Sequence, residues 1–217
     1  MNRTGPLFAT LDFINRRSAL QAGWPDGPHL DGSSRNCDLL FVIDAPPDYQ
    51  PAVQPQRSVI FLDQHAQPRK LPPEHFQITP AHALSLHAFD AWAQFVVQAL
   101  PAPLLRNVMI GTDLTDLLHL MRACNGRRLQ LFCLEFPADA QAPLEQLGGL
   151  HFRHLFTCLF GGPDLSLHHY SDAGSALEAI CTEGARMVIT TAMHAAPQRR
   201  LLLLGEPVTP HTAEPRP

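Results

Sequence analysis

The sequence predicts an α/β protein, a three-layer Rossmann-like or flavodoxin-like sandwich with a mostly parallel sheet. Short, continuous apolar runs are typical of strands that are covered on both faces. From about residue 104 these runs alternate with helical patterns, an order that indicates helices packed on a parallel sheet. At 217 residues and 45% hydrophobic content, the chain is long and apolar enough to build one substantial core.

The first half of the chain predicts two strands and one long helix. Residues 1–37 are expected to form an irregular arm, because AGWPDGPHLDGSS is dense in glycine and proline. Apolar runs predict strands at 38–43 and 58–62, followed by a proline-rich connection over 63–78. Thr79-Pro80 has the form of a helix start, a hydroxyl N-cap followed by proline, and predicts a helix that continues to about residue 100.

The second half predicts a regular alternation of strands and helices, separated by glycine-containing turns. We expect strands at 107–110, 129–136, 151–160, 165–170, 186–191 and 199–204, with helices at about 114–124, 143–147 and 173–183. The predicted organisation is therefore an N-terminal arm (1–37), a single α/β domain (38–205) and a flexible tail (206–217). A division of the domain into lobes 38–103 and 104–205 stays open as an alternative.

Charge and cysteine content limit the partners and the compartment. The formal net charge of −4 gives no electrostatic reason to expect nucleic acid as a partner. The apolar runs fall far short of the ~20 residues of a membrane span, so we expect no membrane insertion. Five widely spaced cysteines and no signal peptide favour reduced thiols in the cytoplasm. Cys133 and Cys158 lie in apolar runs and are expected to be buried in strands.

Several common chemistries are excluded by missing motifs. The single lysine, Lys70, lies in QPRKLPPE without a glycine-rich turn before it, which excludes a P-loop. GxGxxG opening a helix, HExxH, paired CxxC and GxSxG are all absent. The adjacent His168 and His169 have opposite strand parity, so they indicate no metal site. These absences favour a protein without catalytic residues, cofactor or metal.

Polar residues at the predicted strand ends are the candidates for a ligand site, because ligands of open α/β sheets bind outside the carboxyl ends of the strands. The candidates for an anionic or nucleotide-like ligand are Asp44, Gly111, Thr112, Asp113, Asp164, Thr190 and His194. The turn at 111–113 opens a predicted helix, whose amides favour phosphate. Its alternative interpretation is simple helix capping. His194 is the candidate acid or base.

The segment LSLHHYSDAGSALEAICTEGARMVITTAM (165–193) resembles the strand–helix–strand centre of response-regulator receiver domains. A working receiver needs an aspartate at the end of the last strand, where Thr190-Thr191 stand here, and a later lysine, which is absent. The resemblance implies a pseudo-receiver, that is, a non-catalytic regulatory or scaffold protein that binds another protein. Separately from this resemblance, a homo-oligomer stays open as a partner. The alternative hypothesis is an enzyme or a small-molecule binder that uses the strand ends.

Overall fold

One mixed sheet organises the protein. The computed structural model describes residues 6–15, 17–22, 37–51, 57–67, 69–105, 108–194 and 198–208. Within these ranges nine strands are hydrogen-bonded in the order β2-β1-β3-β4-β5-β6-β9-β7-β8. The strands are β1 (Leu7–Asp12), β2 (Arg17–Ala22), β3 (Leu39–Ile43), β4 (Ser58–Leu62), β5 (His75–Pro80), β6 (Arg128–Phe136), β7 (His151–Gly161), β8 (Cys181–Met193) and β9 (Arg199–Val208).

Helices cover both faces of this sheet. The α-helices are α1 (Leu86–Ala99), α2 (Ala102–Leu105), α3 (Leu114–Ala123) and α4 (Leu167–Glu178), and 3-10 turns occur at Asn125–Arg127 and Leu144–Leu147. Helices α1, α2 and α3 pack on one face over a core that runs along most of the sheet. Helix α4 and the second 3-10 turn cover the other face over β6, β7 and β9. The architecture is an α/β sandwich.

Strand direction determines which residues share an edge of the sheet. Neighbouring strands are parallel except at β1–β2, β6–β9 and β7–β9. Seven strands therefore run in one direction and end along the same edge, whereas β9 begins there. Arg199 pairs in register with Phe136, and Arg200 with Phe160, near the ends of β6 and β7.

The predicted α/β class and mostly parallel sheet are confirmed, although the strand order is that of neither the Rossmann nor the flavodoxin fold. The predicted helix start at Thr79-Pro80 is wrong, because these residues end β5. Helix α1 begins at Leu86, and its N-cap Ser85 accepts a hydrogen bond through Oγ from the amide of Ala88 at 3.3 Å. The hydroxyl N-cap is thus present, six residues later than predicted.

The strand predicted at 107–110 is also wrong. Residue 107 lies outside the described residues, and 109–110 form a bend. Only Ile110 pairs with the edge of β8 among the described backbone contacts: its amide donates to Thr191 Oγ1 at 3.1 Å, and its carbonyl accepts from the Thr191 amide at 3.1 Å. A single residue bonded in this way bridges the edge without extending the sheet.

The edge strand predicted at 165–170 is the start of α4 instead. Ser166 is the N-cap of this helix, and His169 completes a capping box, since its Nδ1 accepts from the Ser166 amide at 3.2 Å. The helix consequently begins six residues before the predicted one and ends at Glu178. Side-chain bonds between residues three apart, rather than apolar alternation, determine the local structure here.

Three further expectations have mixed outcomes. The arm contains β1 and β2, an antiparallel pair, where an irregular chain is predicted. Residues 206–208 of the predicted tail (206–217) end β9, and the tail from 209 lies outside the described residues. Cys158 is buried in β7 as predicted, whereas the prediction for Cys133 is wrong, since this residue of β6 is exposed. No helix of the described ranges is long and apolar enough to cross a bilayer.

Candidate functional site

The predicted site residues lie in separate places along the carboxyl edge of the sheet. Asp44 follows β3, which five strands (β4, β5, β6, β9 and β7) separate from β8. With neighbouring strands about 4.8 Å apart, β3 and β8 are roughly 29 Å apart. Asp44 therefore does not converge with Thr190 and His194. Burial, and then the negative charge of Asp63, raise the pKa of Asp44.

The turn at 111–113 has the contacts of a helix cap. Asp113 Oδ1 accepts a hydrogen bond from the Asp116 amide at 2.8 Å. Asp116 Oδ2 in turn accepts from the Asp113 amide at 3.4 Å and from Thr112 Oγ1 at 3.2 Å. The two carboxylates use the donors at the start of α3 and bring negative charge to it. Gly111, which precedes them, is exposed.

Thr190 and His194 also make local structural contacts. Thr190 is buried, and its Oγ1 donates to the carbonyl of Ile110 at 2.7 Å. The amide of His194 donates to the Gly161 carbonyl at 3.0 Å, and its ring stacks on Phe160 with centroids 6.2 Å apart. Arg200 lies with His194 beside a small cavity of about 120 Å³ on the α1 face of the sheet.

A larger cavity, of about 280 Å³, lies on the opposite face between α4, the connection 137–143 and the first residue of β9. We call it the Arg199 cavity. It is lined by Phe136, Ala140, Gln141, Ala142, Leu159, His169, Asp172, Ala173, Ser175, Ala176 and Arg199. Most of the lining is apolar, with a few polar groups, the composition that is typical of small-molecule sites. The seven predicted residues lie outside this lining, and Asp164 reaches it through Arg199.

Arg199 is the unusual residue of this cavity, because its charge is buried without a full set of partners. The residue is 4% exposed. Its Nη2 donates to Asp164 Oδ2 at 2.9 Å, whereas its buried Nε has no hydrogen-bond acceptor among the described residues. The Asp164 side chain is 56% exposed, and the hydrogen bond from Arg199 lowers its pKa. A buried donor without an acceptor is costly, so an acceptor supplied by a ligand would stabilise this site.

Arg69 shows what a fully paired buried arginine is like in the same protein. Its Nε and Nη2 donate to the two carboxylate oxygens of Asp63, each at 2.6 Å. Its Nη1 donates to the carbonyl of Pro46 at 2.7 Å, and Nη2 also donates to the carbonyl of Ala45. Gln77 Nε2 adds a bond to Asp63 at 2.6 Å. This cluster holds the connections after β3 and β4 against the sheet and gives every nitrogen of the guanidinium an acceptor.

His169 contributes a donor to the lining of the Arg199 cavity. Because its Nδ1 accepts from the Ser166 amide, the neutral ring carries its proton on Nε2. The capping box of α4 therefore sets the tautomer of a cavity residue. The ring and the guanidinium together give the cavity two kinds of N–H donor, both suited to an anion.

Sequence reasoning missed Arg199 because the residue opens a strand whose direction was unknown. In a parallel strand, the first residue would lie at the amino edge of the sheet, away from any strand-end site. Only the antiparallel direction of β9 brings Arg199 to the carboxyl edge. The one signal in the sequence is the pair Arg199-Arg200 directly before four leucines, which places charge at the border of a buried strand.

Comparisons with known proteins give a fold similarity. No protein-family model and no curated protein matches the sequence. The fold is similar to the empty FtsZ dimer of M. jannaschii, with a TM-score of 0.52, 10% identity, and coverage of 79% of this chain and 64% of that one. CetZ from Methanosaeta thermophila strain DSM 6194 matches at a TM-score of 0.48 and 11% identity, over 78% of this chain and 61% of that one.

CetZ1 from Haloferax volcanii, solved as a GDP-bound monomer, matches at a TM-score of 0.47 and 10% identity, over 82% of this chain and 67% of that one. The chain thus spans about two thirds of the length of these proteins, or less. At such low identity, the comparison with the FtsZ dimer describes the fold alone.

The predicted non-catalytic scaffold on a pseudo-receiver fold is wrong. The fold is similar to that of FtsZ, and the strand order differs from the flavodoxin order. The segment that resembles a receiver opens with α4 instead of a strand, so the strand–helix–strand pattern is absent from residues 165–193. The alternative prediction, a ligand site at the carboxyl ends of the strands, fits these findings better.

Proposed function

We propose that this protein binds a small organic anion, a carboxylate or phosphate on an apolar body, in the Arg199 cavity. The observation that carries the proposal is the buried guanidinium at the cavity wall, whose Nε has no acceptor among the described residues. An arginine fork matches carboxylate and phosphate oxygens in geometry and charge. The remaining lining, mainly alanine, leucine and phenylalanine, suits an apolar body.

The size of the cavity limits the ligand. A volume of about 280 Å³ lies just below the range of roughly 300–1,000 Å³ that is usual for small-molecule pockets. A compact anion would be enclosed, whereas a larger, nucleotide-like ligand would place only one end inside. The position at the carboxyl ends of β6 and β7 agrees with the general location of ligands in α/β sheets. The proposal concerns binding, and it assigns no reaction.

Thermal denaturation in the presence of benzoate, phenyl phosphate, inorganic phosphate and GDP tests this proposal. A ligand that binds only the folded state stabilises it by about 2.7 kcal/mol at 100 times Kd. We expect phenyl phosphate or benzoate to raise the Tm of the wild-type protein and to leave that of Arg199→Met unchanged.

The matched control is Arg200→Met, which removes the neighbouring arginine on the opposite face of the sheet. This variant should keep the full Tm shift of the wild-type protein. Circular dichroism of each variant without ligand establishes that the variant is folded. If Arg199→Met does not fold, the uncharged Arg199→Gln replaces it. Equal shifts in the Arg199 and Arg200 variants would contradict the proposal.

We also propose that the protein forms homo-oligomers, a possibility that the sequence leaves open. The structure with which it shares its fold is that of an FtsZ dimer. Sedimentation equilibrium at several protein concentrations tests this point separately from ligand binding. A single species of about 24 kDa at all concentrations would contradict it.

A further inference from the structure

We propose that Asp164 is a displaceable counterion that occupies part of the ligand position when the Arg199 cavity is empty. This inference rests on the proposed function and makes it more specific. An incoming anion with two oxygens would take both Nε and Nη2 of Arg199 and release the carboxylate of Asp164 to solvent. The ligand class is then a carboxylate or phosphate that binds in a bidentate manner.

The geometry of the guanidinium supports a bidentate ligand. The N–H groups at Nε and Nη2 point the same way and match two oxygens of one anion. Arg69 uses this pair in full, with both bonds to Asp63 at 2.6 Å. Arg199 uses only Nη2, with one bond of 2.9 Å to Asp164. Arg199 thus makes half of the interaction that Arg69 completes.

The burial of the two partners indicates which one leaves. The side chain of Arg199 is 5% exposed and fixed at the start of β9, between β6 and β7. Asp164 lies in a turn that the Leu165 amide closes onto the Gly162 carbonyl at 3.0 Å, and more than half of its side chain faces solvent. Released Asp164 is therefore hydrated at once, whereas released Arg199 would stay buried.

Other charges around the cavity and on the opposite face of the sheet have partners of their own. Asp172 lines the cavity, but its Oδ2 pairs with Nε2 of the exposed His168 at 3.3 Å. Arg200 pairs with Glu135 at 2.7 Å. Asp164 is thus the carboxylate that competes directly with an anionic ligand for Arg199.

Isothermal titration with benzoate tests the inference. Removing the competing charge with Asp164→Asn should tighten benzoate binding roughly two- to fivefold, as expected for an ion pair whose carboxylate is exposed. Glu135→Gln is the matched control, because it removes the carboxylate that pairs with the neighbouring arginine, Arg200. This variant should bind benzoate with unchanged affinity. The double variant Arg199→Met/Asp164→Asn should bind no benzoate, like Arg199→Met alone, because the gain from Asp164→Asn requires Arg199.

The possible results separate the two proposals. If the wild-type protein binds benzoate and Asp164→Asn binds it equally well or more weakly, the counterion role of Asp164 is overturned and the anion site is kept. An equal gain from Glu135→Gln would also overturn it, because net charge alone would then explain the effect. Absence of benzoate and phenyl phosphate binding in the wild-type protein and in Asp164→Asn would overturn the proposed function and this inference together.

Discussion

Arg122 on α3 binds both carboxylate oxygens of Glu74, in the turn before β5. Nε donates to Oε1 at 2.8 Å and Nη2 donates to Oε2 at 2.6 Å. Ser58 Oγ at the start of β4 adds a bond to Oε2 at 3.2 Å. One glutamate therefore joins a helix to two strands. The hydrogen bond from Arg122 is the main cause that lowers the pKa of Glu74 below its ordinary value of 4.5.

This pKa shift predicts a loss of stability in acid. The unfolded chain takes up a proton at Glu74 near pH 4.5, before the folded protein does. The stabilisation that ionised Glu74 contributes is thus complete above that pH. It is lost as the pH falls through the lower pKa that Glu74 has in the folded protein. Urea denaturation from about pH 6 to pH 3 should show a shallower decline for Glu74→Gln than for the wild-type protein. Glu145→Gln, which changes an exposed glutamate, is the reference variant and should lose stability in acid as the wild-type protein does. An equally steep loss of stability in Glu74→Gln and the wild-type protein would contradict the prediction.

The buried pair Arg69–Asp63 predicts a large cost for removing one partner. Arg69→Met leaves the carboxylate of Asp63 buried with Gln77 as its remaining side-chain donor, and should lower the free energy of unfolding by about 3–5 kcal/mol. Arg153→Met is the control, because Arg153 pairs with Glu206 while 53% exposed, and should cost less than about 1 kcal/mol. Chemical denaturation measures both, and similar costs would contradict the structural role of Arg69.

Substitution of two glycines by alanine should have opposite effects on the stability of the protein. At Gly205 in β9 an added Cβ would clash with the carbonyl oxygen of His154 and lie 2.9 Å from Cδ1 of Phe152. Gly205→Ala should therefore destabilise the protein by about 1–3 kcal/mol or more. At Gly174 in α4 the new Cβ would meet only Ile189 Cδ1 at 3.4 Å, so Gly174→Ala should stabilise by roughly 0.5–1 kcal/mol. Equal Tm changes would contradict this close packing of β7 and β9.

Some elements of the fold can be predicted from the sequence, because their residues are stable only in a buried environment. The runs that form β3 and β4 are entirely buried, and a short continuous apolar run has little choice but a covered strand. Strand β5 does not follow, because it contains Gln77 and ends in proline. Burial of Gln77 depends on its bonds to Asp63 and to Arg128 Nε at 3.1 Å, and these partners are distant in sequence.

The candidate site could be predicted only in its general location. The rule that ligands bind at the carboxyl ends of strands points to the edge of the sheet along which the Arg199 cavity lies. The rule did not identify Arg199, since the direction of β9 depends on pairing between residues 63 to 75 positions apart. Asp164 was found from its place after β7, and its partner was visible only in three dimensions.

The central claim, that Arg199 binds an organic anion, is tested most directly by a crystal structure with 4-bromobenzoate. The anomalous signal of bromine locates the apolar end of the ligand independently of the protein. We expect bromine among the apolar side chains of the cavity, near Phe136 and Leu159, with both carboxylate oxygens on Nε and Nη2 of Arg199 and Asp164 turned to solvent. Bromine outside this cavity, or a carboxylate that does not contact Arg199, would contradict the account.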